Sequence, residues 1–442
     1  MSLLPLLPAF RPGAVFARRA GQPIAAEAFL GDVAAVAALL PDGRHLVNLC
    51  RDRYRFVVGF AAALCRSQVT LLPPHDAPAV LEQLAAEYRG YHCLADTDTP
   101  EIAAAVFRYP AILPAMPPVN PQFPSGQPAA VLFTSGSTGR PQPHPRSWGV
   151  LVASAQAAGR RLGVPALGAA ELLGTVPHQH SYGLESLVML ALQFGLVLHA
   201  ERPFYPADVL AQLAAAPRPR ILVTTPIHLR VVLAEAGALP RADLLLSATA
   251  PLSPQLARDA EARLGGELLE IYGCSEAGQV AARRTAAGAE WRCLDGIALR
   301  EDEAGIWASG APVPVETRLQ DIIELRGPER FLLHGREADM VNIAGKRTSL
   351  AHLNYHLNAI EGVRDGAFLA TEAEAGGVGR LVAFAVAPAT TAREILAALR
   401  GRIDPAFLPR PLHLVETLPR NALGKLPREA VMRLLAEADS QP

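Results

Sequence analysis

Short, wholly apolar runs alternate with helix-periodic segments through most of this chain, and few folds accept that pattern. The runs Arg44 to Leu49, Val69 to Leu72 and Arg220 to Thr225 are brief and rich in Leu, Val and Ile. Those are the marks of strands buried on both faces. Between them, Val33 to Leu40 and Ala79 to Ala85 carry Ala, Leu and Val at helical spacing. Strands that alternate with helices predict an α/β fold of layered sheets and helices. With 442 residues, half of them hydrophobic, the chain has material for a large core and for more than one folding unit. No internal repeat is visible.

Charge narrows the function. The 41 Lys and Arg residues balance 42 Asp and Glu residues, for a formal net charge of -1. Such a balance leaves neither a nucleic-acid footprint nor a polybasic membrane patch, so small-molecule chemistry is expected. Five cysteines, at 50, 65, 93, 274 and 293, form no CxxC pair. That spacing supports neither a disulfide framework nor a zinc site and fits a reducing cytoplasm. The apolar start is interrupted by prolines and its arginines follow rather than precede it, the reverse of a signal peptide. The most hydrophobic stretch, Leu187 to Leu198, is broken by Gln193 and Gly195 and is too short to cross a bilayer. It is expected to be a buried helix that turns into a buried strand, without membrane insertion.

Two composition shifts organise the chain. A Pro-rich passage from Pro110 to Pro128 has little periodicity and is expected to be a surface linker. Beyond His334 to Arg336 the pattern becomes that of a small α+β unit. It has a strand at Leu381 to Val386, a helix at Ala392 to Arg400 and a last helix at Arg428 to Ala436. A boundary is therefore placed between a domain at 1–336 and one at 337–442. Position alone fits a loop inside one domain equally well.

The strongest local signal is the run from Val131 to Pro141, where an apolar strand leads into Thr134, Ser135, Gly136, Ser137, Thr138 and Gly139. Glycines let the backbone approach an anion with successive N–H groups, and hydroxyls add donors. An ordinary Ser/Gly-rich turn would look similar. A Walker loop is excluded, because its Lys is absent and the glycines lie too close together. The segment Thr134 to Pro141 resembles the phosphate loop of the adenylate-forming superfamily, which includes acyl-CoA synthetases, aryl-CoA ligases, firefly luciferase and peptide-synthetase adenylation domains. In that family the loop embraces the β- and γ-phosphates of ATP. The family's usual Lys-Gly after the Pro is replaced by Gln142 and Pro143, and the next cation is Arg146, a candidate to carry the lost charge.

Further segments resemble the family's remaining motifs, in the family's order. Thr175 to Gly183 resembles the segment that lines the acyl pocket, which assigns His180, Tyr182 and Gly183 to that pocket. No Asp occurs between Thr175 and Leu190 to pair an α-ammonium, so an amino-acid substrate is disfavoured. Leu244 to Leu252 resembles the strand and turn against adenine, with Ala250 and Pro251 at the nucleotide and with Ala248 and Thr249 where the family has two glycines. Glu270 to Glu276 resembles the Tyr-Gly-x-Thr-Glu motif. It implies Tyr272 along the adenine, Gly273 and Ser275 beside the nucleotide, and Glu276 on Mg²⁺, with Thr138 as a second ligand. Asp321 and Arg336 fall at the ribose contacts. The segment Asp339 to Arg347 resembles the loop that opens the C-terminal domain. Lys346 would face the thiol donor or a phosphate, and Arg347 the nucleotide. The family's hinge Asp falls on Ala338, so a hinge is transferred to the region and not to a residue. Finally, Leu418 to Arg428 resembles the terminal motif whose lysine is catalytic, here Lys425.

The resemblance spans roughly residues 130 to 430. It implies a large N-terminal adenylate-forming domain, a small mobile C-terminal domain, and an ATP- and Mg²⁺-dependent ligase. Such a ligase activates a carboxylic acid as its adenylate and passes it to the thiol of coenzyme A or acyl carrier protein. The wording of residues 138–144, 342–347 and 407–411 is similar to short bacterial ligases of aryl-polyene and xanthomonadin-type pigment clusters, which implies an aromatic acid such as 4-hydroxybenzoate. His180 and Tyr182 suit an aromatic ring or a medium-chain or longer fatty acid. A degenerate nucleotide-binding protein is the alternative of another class; Gln142, Ala338 and Ala248 with Thr249 speak for it, Glu276 and Lys425 against it.

Overall fold

The computed structural model describes residues 2–73, 75–98, 105–135, 141–336, 340–343, 346–371, 380–420 and 426–439. Two large sheets enclose a helix that is buried on nearly every side. The helix Arg53–Cys65 buries Phe56, Val57, Val58, Phe60 and Leu64 completely or almost so, as a helix sandwiched between layers must. One neighbour is a six-stranded sheet in the order Pro141–Ser147, Pro128–Ser135, Val69–Leu72, His45–Asn48, His92–Ala95, Ala105–Arg108. The other is an eleven-stranded sheet, to which the buried Arg53 guanidinium is stitched by donating to the carbonyls of Gly174, His199 and Glu201.

The centre of the larger sheet is parallel. Glu171–Gly174, Arg220–Thr224, Leu244–Ser247 and Glu267–Cys274 lie side by side in that order. Their residues are buried almost throughout, which explains the unbroken apolar runs. Chain direction then reverses through Gly278–Arg283, Trp291–Cys293, Arg330–Arg336 and Asp321–Leu325. Two of the parallel strands hand over to helices by the same local chemistry. Thr225 caps Pro226–Ala234 and Ser253 caps Pro254–Leu264, each with Pro at the first helical position. The missing proline N–H costs nothing there, and the cap hydroxyl accepts an orphan N–H.

The sequence expectations for strands 44–49, 69–72 and 220–225 match His45–Asn48, Val69–Leu72 and Arg220–Thr224. Leu187 to Leu198 is indeed buried helix that turns at Gly195 into the strand Val197–His199, and no described helix is long and apolar enough to cross a membrane. The Pro-rich passage is more than a linker. Its Gln122–Pro124 pairs with Leu3–Pro5, and the Asn120 side chain bonds both backbone groups of Leu7. After residue 340 come the hairpin Met340–Ile343 with Lys346–Ser349, the sheet Asp365–Ala370, Leu381–Val386, Leu412–Leu414, and helices Leu350–Asn358, Ala392–Arg400 and Arg428–Asp439. The hydrophobic clusters of this region draw on residues from 341 onward, and those of the two large sheets on residues up to 333.

Candidate active site

Four segments singled out in the sequence leave the carboxyl ends of the four adjacent parallel strands, the place where open α/β sheets bind ligands. Pro177 to Gly183 follows Glu171–Gly174, Thr225 to His228 follows Arg220–Thr224, Thr249 to Pro251 follows Leu244–Ser247, and Tyr272 to Glu276 ends Glu267–Cys274. The first three converge on a cleft of about 270 Å³ lined by Val176, Pro177, His180, Tyr182, Gly183, Thr225, His228 and Thr249.

Gly183 is the hinge pin of that cleft. A Cβ there would stand 1.9 Å from the Pro177 carbonyl oxygen, so only glycine lets the chain fold back so closely. Tyr182 points its hydroxyl inward. That oxygen is buried beside the Thr224 backbone, outside hydrogen-bonding geometry, and burial raises the phenol above its ordinary range. His178 is a packed residue. Its Nε2 lies 2.9 Å from the Cys50 carbonyl, its ring is tilted against Phe56 with centroids 4.5 Å apart, and burial with nearby Arg53 lowers its pKa to about 3. Thr249 takes φ +78, in the left-handed region that a β-branched residue rarely enters.

The nucleotide residues read from the sequence gather on the neighbouring strands. Tyr272 donates to Asp321 at 2.7 Å, and Asp321 stands directly opposite Arg336 in the antiparallel ladder. The Tyr272 ring is only 8 % exposed, packed against Trp291 and Phe331, so it offers a ligand its edge and hydroxyl more than a face. Gly273 sits at a bulge where a Cβ would meet the Gly278 carbonyl oxygen at 2.3 Å. The hairpin so tightened presents Ser275 and Glu276 at its turn. The Glu276 side chain is 44 % exposed, with His144 Nε2 4.0 Å away. Among the described residues no group of three His, Cys, Asp or Glu could hold an ion. A lone accessible carboxylate still suits a hard cation that keeps most of its waters.

Arg146 lies five residues along its strand from Pro141. The strands Pro128–Ser135 and Pro141–Ser147 form a hairpin whose mouth is the pair Ser135 and Pro141, while Arg146 is paired with Ala130. At ~3.4 Å per residue, that is about 17 Å down the strand. Its guanidinium instead holds the carbonyls of Ser275 at 2.6 Å and Glu276 at 2.8 Å. Lys346 is likewise engaged elsewhere, 2.6 Å from the Asp404 carboxylate.

Ala250 and Pro251 line a second cleft, of about 610 Å³, together with Arg230, Tyr355, Arg420 and Leu426. Leu426 is the residue after Lys425. Asp365 accepts two hydrogen bonds from Arg420, at 2.8 and 2.9 Å, and lies 3.4 Å from Arg230. Gly136, Ser137, Thr138, Gly139, residues 337–339 of the expected hinge region and Lys425 lie outside the described residues, as do the side chains of Thr134, Ser135, Arg336 and Arg347.

Four contributors escaped the sequence reading. Glu270 accepts from Leu252 N–H, Arg283 and Thr285, and so fixes the Ala250–Leu252 turn. Glu185, buried with its pKa raised by that burial, accepts from Ser154, Ser181 and the Gln279 N–H, tying the Pro177 to Gly183 segment to the Glu276 hairpin. His144 stands beside Glu276. His228 lines the first cleft, and it alone had a local signal: Thr-Pro after a buried strand marks a helix start, which puts the residue three beyond Thr225 at the strand end.

The sequence profile of the family described as AMP-binding enzyme matches residues 44–323. The chain is 34% identical over 301 residues to a 4-coumarate–CoA ligase of Rhodobacter capsulatus, covering 67% of this chain and 74% of that protein. In fold it is similar to ATP-bound MatB of Rhodopseudomonas palustris, with TM-score 0.78, 18% identity and 97% of each chain covered. It is also similar to the o-succinylbenzoate-CoA synthetase MenE of Bacillus subtilis in complex with its acyl-adenylate, with TM-score 0.78, 18% identity and 98% of each chain covered.

Proposed function

The chain belongs to the AMP-binding enzyme family, and from that premise we propose that it activates a small aromatic acid, of 4-hydroxybenzoate type, for transfer to a phosphopantetheine thiol. It is an acid–thiol ligase that works through an adenylate. The observation that carries the aromatic reading is the acyl cleft. The cleft is small, and beside Val176 and Pro177 its wall carries the rings of His180, Tyr182 and His228. A single ring with one polar substituent suits that wall better than a long acyl tail. Similarity to a 4-coumarate–CoA ligase points the same way.

In the first half-reaction an acid oxygen attacks the α-phosphorus of ATP, and the bond to pyrophosphate breaks. In the second, a thiol sulfur attacks the acyl carbon and AMP leaves with the bonding electrons. Charge builds on phosphate oxygens, so the site must supply fixed donors and cations. Asp321, which accepts from the Tyr272 hydroxyl and is the register partner of Arg336, would take the ribose hydroxyls. Glu276 would hold Mg²⁺, with Thr138 of the loop, and bound there the ion would neutralise phosphate charge. Lys425 would meet the developing negative charge. The division into units at 1–336 and 337–442 fits the separate hydrophobic clusters, and a C-terminal unit that turns between half-reactions would carry Lys425 toward and away from the Ala250–Pro251 turn.

Pyrophosphate release with ATP, Mg²⁺ and a panel of acids tests the reading, with coenzyme A and holo acyl carrier protein as alternative acceptors. Release with hydroxylated aromatic acids is the expected outcome, and faster turnover with carrier protein would place the enzyme at a pigment-type starter step. Release with fatty acids alone would keep the ligase and discard the aromatic substrate.

A further inference from the structure

The acyl cleft contains a hydrogen-bond donor whose proton is placed by the fold. Thr225 is 2 % exposed, and its hydroxyl has two neighbours. It accepts the N–H of His228 at 3.4 Å, as the helix cap, and lies 2.8 Å from His228 Nδ1. A buried hydroxyl needs an acceptor for its own proton, and Nδ1 is the acceptor it has among the described residues. Nδ1 is therefore unprotonated, and the neutral ring carries its proton on Nε2. That nitrogen has no hydrogen-bond partner among the described residues and is not sealed from solvent, although His228 lines the cleft. Burial and nearby Arg202 lower the pKa of the ring, which keeps it neutral. The Tyr182 ring lines the same cleft, with its hydroxyl buried. His178, by contrast, spends its Nε2 on Cys50.

We propose that His228 is a specificity residue: its Nε2–H reads an uncharged oxygen on the tail of the acid, and Thr225 sets the tautomer that makes it a donor. The inference rests on the assignment of this cleft to the acid. A neutral N–H suits a phenol or carbonyl oxygen, and a donor that bound acid cuts off from water penalises a tail that leaves it unpaired.

The test is a ratio. For acid pairs that differ by one hydroxyl, 4-hydroxybenzoate with benzoate and 4-hydroxycinnamate with cinnamate, kcat/KM for pyrophosphate release is compared within each pair. An ω-hydroxy fatty acid with its parent acid forms a third pair. The wild-type ratio favours the hydroxylated member, and His228→Phe lowers it by about tenfold to a hundredfold. His228→Gln, which keeps a donor at similar reach, and Thr225→Ser, which keeps the tautomer, retain the ratio, whereas Thr225→Val loses it. A general loss of folding would lower both members of a pair and leave the ratio unmoved. An unchanged ratio in a folded His228→Phe protein overturns the proposal. Turnover of the aliphatic pair alone would overturn the aromatic reading, while the ratio within that pair still decides the role of His228.

Discussion

Thr249 shows how a residue can be legible in identity and illegible in consequence. Two missing glycines at 248 and 249 are visible in the sequence, but the sign of a backbone angle is not. The structure sets Thr249 at φ +78 while its neighbour Ala248 stays buried without such a constraint. Holding a β-branched residue there costs about 1–3 kcal/mol. Thr249→Gly relieves that strain and adds back ~0.5–1 kcal/mol of unfolded-chain entropy. The expected result is a protein about 1 kcal/mol more stable, read as a higher urea midpoint with an unchanged slope. A lower midpoint would mean that contacts of the threonine side chain outweigh its strain.

At the scale of elements, the site is a set of strand ends held in register by side chains from elsewhere. Arg146 is the clearest case, because its guanidinium secures the Ser275 and Glu276 carbonyls 129 and 130 residues away. The bulge at Arg146 and Ser147 accompanies that aim. Arg146→Ala is expected to lower kcat for pyrophosphate release by about tenfold to a hundredfold. Because the guanidinium acts through Glu276, the Mg²⁺ concentration needed for half-maximal rate should rise more than KM for ATP, and Arg146→Lys should recover part of it. An unchanged Mg²⁺ requirement would reduce Arg146 to a packing residue. The strands, caps and ordered motifs were legible because each is written in neighbouring residues. The braces were not: Glu185 meets Gln279 across 94 residues, and no local pattern announces such a pair.

For the whole molecule, buried histidine makes stability depend on pH. His178 has a folded pKa of about 3, below the ordinary ~6.5, because burial excludes its charged form. The unfolded chain therefore binds the extra proton. The contribution is complete above pH ~6.5 and is lost as pH falls toward 3, at up to about 1.4 kcal/mol per pH unit. Urea midpoints measured from pH 7 to 4.5 should fall, and His178→Gln, which keeps a donor for the Cys50 carbonyl, should flatten that fall. Parallel curves for the two proteins would assign the acid sensitivity to other groups. The α/β class and the change of pattern near residue 336 were readable from periodicity alone. Which strands neighbour which was not, since parallel partners such as Leu172 and Ile221 are joined through the whole intervening crossover.

Thr225 and Thr249 face the same cleft under different obligations. One hydroxyl closes a helix end and also orients an imidazole, so almost any replacement at 225 disturbs folding and selectivity together. The other residue opposes its own backbone, and Gly, Asn or Asp there would relax it. In a lineage that drifts toward a new acid, accepted changes should therefore accumulate at 249 and spare 225, so that one wall of the cleft records the history of substrates and the other the history of the fold.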